Sequence, residues 1–193
     1  MKNQIKLSRL IAILVLFIAL SCQNDKKAVD KNQSSTENNV ESNKGQAFIE
    51  DESATPNILK IAIGSPDHTT LVVAVQAAQL ENVLVNAGPL TVFAPTNEAF
   101  NNLPKGTVED LLKPENKNAL ANIIKYHATP GNLSVDFLKK FKKLGQANNQ
   151  DVAIEVIDGE VYVGGAKIIG SVVASNGIVH VVDKVLLPPS KKN

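Results

Sequence analysis

The chain has 193 residues, 44% of them hydrophobic, and 20 basic residues nearly balance 19 acidic ones, giving a net charge of +1. This length suits one domain with additional segments, and the near-neutral balance provides no electrostatic footprint for nucleic-acid binding. The single cysteine, Cys22, excludes an intrachain disulfide and a cysteine-based zinc cluster.

The N-terminus has the pattern of a lipoprotein signal peptide. Basic residues precede an apolar run over residues 10–20, which is shorter than the roughly 20 apolar residues of a membrane span. The run ends in Ala-Leu-Ser-Cys22, which resembles the lipobox of bacterial lipoproteins, whose cysteine is diacylated with chains such as palmitate. We therefore predict a signal peptide over residues 1–21 and a lipidated Cys22; the alternative is an ordinary signal peptide with an incidental cysteine.

Residues 22–54 join this cysteine to the rest of the chain. They are rich in Asn, Gln, Ser, Lys and Glu, and their few apolar residues show no period. Such a segment cannot bury enough apolar surface to offset its ordering entropy, so we predict a disordered spacer with a reach of roughly 30 Å. Gln23 resembles the outer-membrane class of lipoproteins. The expected location is the bacterial cell envelope, anchored by lipid to the outer membrane and periplasmic or surface-exposed.

Helical periodicity begins at Thr55-Pro56, which suit an N-cap and a first helical position. Gly64 ends this first helix, and Asp67 is a candidate cap for a second helical stretch that continues to Gly88-Pro89. A short β-rich run over residues 90–94 follows and is stopped by Pro95.

Short helices occupy the middle of the sequence. We predict helices over residues 97–103 and 115–127, with Thr107 capping a helix between them and Ser134 capping another after the turn at Pro130-Gly131. Residues 115–127 carry Leu120, Ile123, Ile124 and His127 on one helical face.

The period then changes to two. Alternating residues 152–157 lead into Asp158-Gly159, the strongest short hairpin signal, and residues 160–163 follow as its second strand. Further strands are predicted over residues 166–173 and 178–185, joined by a tight turn at Asn176-Gly177. Helices first and clustered strands last predict an α+β domain over residues 55–190 with a largely antiparallel sheet, and a tail at 191–193.

Three motifs in this order resemble those of the fasciclin domain family. The first block is Thr91–Phe100 (TVFAPTNEAF), the second is Tyr126-His127, and the third is Gly177–Pro189 (GIVHVVDKVLLPP). The resemblance covers nearly all of the predicted domain. It implies a compact wedge of mainly antiparallel β-sheet with several packed helices. Members are extracellular or surface-attached modules linked mainly to adhesion, with no common catalytic activity, so neither an enzyme nor a cofactor is expected.

Two positions depart from the family pattern. The first block often has Asp where this chain has Asn97, which removes a charge but keeps hydrogen-bonding capacity. Integrin-binding animal members carry an Asp-Ile pair just before the last block, and the matching positions here are Ser171-Val172. The resemblance therefore does not imply an integrin partner.

The motif residues are the candidate site residues. We interpret them as fold-defining rather than catalytic: Thr91, Phe93, Pro95, Thr96, Asn97, Phe100, Tyr126, His127, Gly177, His180 and Pro188. The histidine spacing is unlike the His-Glu-x-x-His pattern of helical zinc sites, so no metal is expected. We expect His127 and His180 to be buried, neutral and hydrogen-bonded, and His68 to be exposed.

Two functional hypotheses remain open. The first is a lipid-anchored, non-catalytic surface module that mediates adhesion or protein and glycan contact, with a monomeric domain. The alternative is a periplasmic or surface accessory protein that binds a small ligand or metal in a pocket near Thr96, Asn97, His127 and His180. The lysine-rich residues 139–143 are either a solvated face or a contact for acidic glycans or lipid headgroups.

Overall fold

Seven strands and seven α-helices make up residues 55–189, the part of the chain that a computed structural model describes. The strands are β1 (Leu90–Pro95), β2 (Ala128–Pro130), β3 (Lys143–Gly145), β4 (Asp151–Ile157), β5 (Glu160–Val163), β6 (Ala166–Ala174) and β7 (Gly177–Val182). The helices are α1 (Ile58–Ile63), α2 (Thr69–Ala77), α3 (Glu81–Asn86), α4 (Asn97–Asn101), α5 (Thr107–Leu111), α6 (Lys117–Tyr126) and α7 (Val135–Leu138). The predicted signal peptide, Cys22, the spacer and the C-terminal tail lie outside the described residues.

The strands form one mixed sheet in the order β2-β1-β7-β6-β5-β4-β3. All neighbours are antiparallel except β1 and β7, the second and third strands in this order, which run parallel. Thr129 Oγ1 donates to the Gly145 carbonyl at 2.7 Å, and Ala147 N donates to the Ala128 carbonyl at 2.7 Å. These bonds join the two ends of the sheet, so it is nearly barrel-like. The predicted α+β class with a largely antiparallel sheet is confirmed.

Two apolar clusters lie on opposite faces of this sheet. One packs α1, α2, α3 and α6 against one face of β1 and β7 and contains Leu59, Val75 and Val179. The other fills the inside of the curved sheet and contains Phe93, Leu138 and Val182, which are fully buried. Because residues of a strand alternate between faces, β1 contributes to both clusters.

The hairpin between β4 and β5 has the predicted turn. Asp158 and Gly159 both have positive φ, 51° and 83°, as a type I′ turn requires.

Gly177, the first residue of β7, is required for a different reason. Gly177 has φ 157°, and a Cβ there would overlap the carbonyl oxygen of Leu90 in the neighbouring strand. Only glycine therefore allows β1 and β7 to approach this closely.

Several helix starts differ from the predictions. The cap of α1 is Asn57, whose side chain accepts from Lys60 N at 2.9 Å, rather than Thr55. Asp67 does not cap α2 but lies in a 3-10 turn before it, and Thr107 is the first residue of α5 after Gly106 rather than its cap. Asn57 has the extended backbone typical of an N-cap, whereas His68 and Gly106 occupy the cap positions of α2 and α5 without a side-chain cap hydrogen bond. No helix between residues 55 and 189 has the length and hydropathy of a membrane span.

Candidate functional site

The two long motif blocks meet as neighbouring strands of the sheet. β1 belongs to the first block and β7 to the last, and their parallel register places Phe93 beside His180. The two rings stack with centroids 5.8 Å apart. Phe93, Pro95 and His180 are all buried, whereas Phe100 is half-buried against the helices and Pro188 is half-buried beyond the last strand.

Both ring nitrogens of His180 have partners. Nε2 lies 2.8 Å from the Leu133 carbonyl oxygen, and Nδ1 lies 2.7 Å from Ser171 Oγ. A carbonyl only accepts, so Nε2 carries the proton and Nδ1 accepts from the Ser171 hydroxyl in the neutral ring. Burial lowers the pKa of His180. The ring is thus a neutral connector between β7, β6 and the loop before α7.

His127 is held in the same way at the end of α6. Its Nδ1 donates to the Ile123 carbonyl at 2.8 Å, and its Nε2 accepts from the backbone N of Leu186 at 2.9 Å. Burial lowers the pKa of His127 to about 4, although the Ile123 hydrogen bond opposes this shift. The adjacent Tyr126 donates to the Asp151 carbonyl at 3.2 Å, and burial raises its pKa. His127 therefore fastens the C-terminal segment to α6 only while its ring is neutral.

The threonines of the first block satisfy backbone groups. Thr91 Oγ1 donates to the Gly131 carbonyl and accepts from Leu133 N, both at 2.9 Å, and its side chain is fully buried. Thr96 is the N-cap of α4 and accepts from Ala99 N at 3.2 Å. These bonds hold the loop after β2 and the start of α4 in place.

Asn97 joins α4 to the start of α2. Its Oδ1 accepts from Thr70 N at 3.0 Å and from Thr69 Oγ1 at 3.2 Å, while its Nδ2 donates to the Pro66 carbonyl at 2.9 Å. A backbone N–H only donates and a carbonyl only accepts, so the amide orientation is unambiguous. An aspartate here would lose the donor to Pro66, which gives a physical reason for the departure from the family pattern.

His68 is buried, so the expectation that it is exposed is wrong. It is the last residue of the 3-10 turn Pro66–His68 before α2, and its Nδ1 lies 2.7 Å from Ser65 Oγ. Burial lowers its pKa against the raising effect of the nearby Asp67 carboxylate. The sequence placed His68 near a helix start, but it did not show that this start faces the sheet.

An open cleft of about 780 Å³ lies where the first and last blocks end. Its walls include Thr96, Asn97, Asp183 and Val185 together with the exposed Glu98. No group of three or more His, Cys, Asp or Glu side chains between residues 55 and 189 is placed to hold a metal ion. The cleft is open to solvent and is lined by both polar and apolar side chains, so its lining does not identify one class of ligand.

The pocket expected for a small ligand is not assembled as the sequence suggested. Thr96 and Asn97 line the open cleft, whereas His127 borders two apolar cavities of about 30 Å³ each and His180 is sealed beneath β6. Cavities of this size hold at most one or two waters and are lined by apolar side chains, far below the usual volume of ligand pockets. The structure thus does not bring the four residues together.

The second half of β6 is an open edge. β5 pairs only with Ala166 and Lys167, so residues 168–174 have β7 on one side and no strand on the other among the described residues. The pairing of β6 with β7 has a register shift between Ile168 and Gly170, at the start of this unpaired half-strand. Apolar side chains of this half-strand are exposed: Ile169 by 55%, Val172 by 44% and Val173 by 71%. We call residues 168–174 the β6 edge.

Comparison with known proteins agrees with the motif pattern. A model of the Fasciclin domain family matches residues 66–188. The chain belongs to the fasciclin domain family. Its fasciclin domain is 46% identical over 133 residues to Protein sll1483 from Synechocystis sp., covering 68% of this chain and 73% of that protein.

A second Synechocystis relative, the uncharacterized protein sll1735, is 39% identical over 132 residues, which is 68% of this chain and 98% of that protein. The matched region accounts for almost all of that protein, as expected for a domain that can fold on its own. A solved pair of fasciclin domains from the insect cell adhesion molecule Fasciclin I superposes with a TM-score of 0.62 at 16% identity, covering 69% of this chain and 51% of that one. This likeness shows the fold, and it shows that fasciclin domains occur in cell adhesion proteins.

Sequence reasoning assigned Asn176 only to a turn, yet its side chain connects three parts of the fasciclin domain. Its Oδ1 accepts from Ile58 N at 3.0 Å, and its Nδ2 donates to the carbonyls of Leu84 at 2.8 Å and Val85 at 3.3 Å. Asn176 therefore gives hydrogen-bond partners to backbone groups at the first turn of α1 and the last turn of α3, which have none within their own helices. An Asn-Gly pair signals a turn regardless of its surroundings, so the pattern could not reveal these distant partners.

Proposed function

We propose that this protein is a lipid-anchored, non-catalytic adhesion module of the bacterial cell envelope, and that its contact surface is the β6 edge. Fasciclin domains occur in cell adhesion proteins, and the exposed apolar β6 edge is the observation that carries the assignment to this chain. The lipobox-like sequence before Cys22 supports the anchor.

The state of the motif residues supports a role without catalysis. Thr91, His127 and His180 are buried, and their polar side-chain atoms are engaged in hydrogen bonds within the fold. A general base must reach the proton that it abstracts and have a pKa near the working pH. Burial lowers the pKa of both histidines, and neither ring reaches the open cleft.

The β6 edge suits an extended polypeptide better than a glycan. An edge strand presents unpaired backbone N–H and C=O groups, with which a second strand can form main-chain hydrogen bonds. Residues 168–174 carry no charged side chain, whereas charges and prolines are the usual protection of such edges. The partner proposed here is therefore an extended segment of a surface protein.

Replacing Val173 by lysine is expected to remove adhesion without unfolding the domain, because the side chain is 71% exposed and a charge opposes strand addition. The measurement is settling and aggregation of cells that lack the gene and are complemented with each variant. Val83→Lys, at a site 51% exposed on α3, is the matched control and should restore aggregation like the wild type. Equal restoration by Val173→Lys and wild type would contradict the proposed surface.

Replacing Cys22 by serine is expected to abolish lipid attachment, because acylation requires the thiol. Cells fed an alkyne-tagged palmitate should label the wild type and leave Cys22→Ser unlabelled. Ser21→Ala, which keeps a small residue beside the thiol, is the control and should label normally. An unlabelled wild type would refute the anchor and leave the β6 edge proposal standing.

A further inference from the structure

A surface formed around α7 combines lysines with an exposed aromatic ring. Phe137 is 41% exposed, packs edge-on against Phe141 with ring centroids 5.2 Å apart, and lies beneath Lys140, whose Nζ is 5.4 Å from the ring centroid. Lys139, Lys142 and Lys143 are exposed beside it. We call residues 137–143 the basic-aromatic tip.

The tip keeps a positive charge after its local ion pairs are considered. Lys139 pairs with Asp136 at 2.9 Å and Lys143 with Asp151 at 2.7 Å, and both pairs are exposed to solvent. Lys140 and Lys142 form no ion pair with any residue between 55 and 189. Four lysines against two aspartates leave a net charge of about +2 on a small surface, which favours an anionic partner.

The tip is also fixed in position by the domain beneath it. Leu138 is fully buried, Phe141 packs against the cluster inside the sheet, and the Lys142 carbonyl accepts from Ile154 N of β4 at 3.0 Å. The backbone that presents the aromatic ring and the lysines is thus already ordered before binding, which reduces the entropy cost of docking.

We propose that the basic-aromatic tip docks the domain onto an anionic phospholipid surface. Phe137 supplies an apolar group that enters the headgroup region, and the lysines pair with lipid phosphates while their methylene chains cover the apolar boundary. Charge alone would suit an acidic glycan equally well. The exposed phenyl ring under a lysine favours the membrane, since an exposed aromatic among lysines is the pattern of interfacial anchors.

In the cell this contact rests on the proposed lipid anchor. A flexible spacer holds a tethered domain at a high effective concentration near the bilayer, so a weak contact suffices for docking. Docking would turn the domain from a freely tethered state to one oriented on the membrane. The vesicle experiment below uses an unanchored domain, so its outcome is independent of whether Cys22 is acylated.

The test is co-sedimentation of purified residues 55–193 with phosphatidylcholine vesicles and with mixed phosphatidylcholine–phosphatidylglycerol vesicles. Binding is expected for the mixed vesicles at low ionic strength and should weaken when salt screens the charges. Lys140→Glu with Lys142→Glu should lower the partition coefficient by about tenfold or more, and Phe137→Ser should lower it severalfold. Each variant is first checked for an unchanged urea midpoint.

Matched changes elsewhere separate a local site from overall charge. Lys105→Glu with Lys125→Glu makes the same charge change at exposed lysines outside the tip, and Val83→Ser removes an exposed apolar group; both should bind like the wild type. Equal loss in the control pair, or no preference of the wild type for mixed vesicles, would overturn the proposal. Capture by immobilised heparin without vesicle binding would overturn it in favour of an acidic glycan.

Discussion

Replacing Gly177 by alanine is expected to prevent the domain from folding stably. An alanine Cβ would overlap the Leu90 carbonyl oxygen and lie 2.9 Å from both Leu90 C and Ile58 Cδ1. The backbone of β1 cannot move away without breaking its parallel pairing with β7. We expect a loss of about 4 kcal/mol or more, a large part of the 5–15 kcal/mol typical of a domain. Urea unfolding of residues 55–193 followed by circular dichroism measures it.

Gly88→Ala is the matched control for this substitution. Gly88 is exposed, its φ lies outside the left-handed region, and a Cβ there meets no atom within 4 Å. Its urea midpoint should stay within experimental error of the wild type or rise slightly, because alanine reduces the entropy of the unfolded chain. A Gly177→Ala domain as stable as the control would show that β1 and β7 can separate at their start without cost.

Acidification from pH 6.5 to pH 4 is expected to destabilise the domain through His127. The folded state holds the pKa of this ring at about 4, below its ordinary value of 6.5. Between these values the unfolded chain binds a proton that the folded chain excludes. The contribution of His127 to the free energy of unfolding is therefore fully present above pH 6.5 and is lost as the pH drops towards 4. A shift of this size corresponds to about 3 kcal/mol. Urea midpoints measured across this range test the slope.

His127→Gln isolates this contribution from the other histidines. Glutamine can accept from Leu186 N but cannot become charged, so the variant starts less stable and loses less on acidification. His68 and His180 also have pKa values lowered by burial, and they leave a residual slope of the same sign in both proteins. Identical slopes for the variant and the wild type would show that His127 protonates without losing its bond to Leu186.

The sequence predicted those elements whose signals are local. The Asp158-Gly159 turn, the alternation in β4 and the apolar runs of β1 and β7 each contain their own evidence, and they appear where expected. The short strands β2 and β3 were not predicted. Each has three residues, and their pairing depends on partners distant in sequence rather than on a hydrophobic period.

The candidate site was less predictable than the fold. Burial of His127 and His180 followed from their apolar neighbours, but burial of His68 depends on how a short turn packs against the sheet. The β6 edge was also invisible, because the sequence of a strand does not reveal that its neighbour pairs with it over only two residues. Both features arise from tertiary packing, which one sequence pattern does not encode.

The bonds of Asn176 have a consequence for the order in which the domain is made. The N–H of Ile58 and the carbonyl of Leu84 are satisfied by a residue 118 and 92 positions later in the chain, and β1 pairs with β7 in the same region. A ribosome or export channel that delivers the chain from its N-terminus therefore supplies the early helices long before the side chain that completes them. Non-local contacts of this kind delay folding until the chain is nearly complete. The native packing of α1 and α3 therefore waits until residue 176 has emerged.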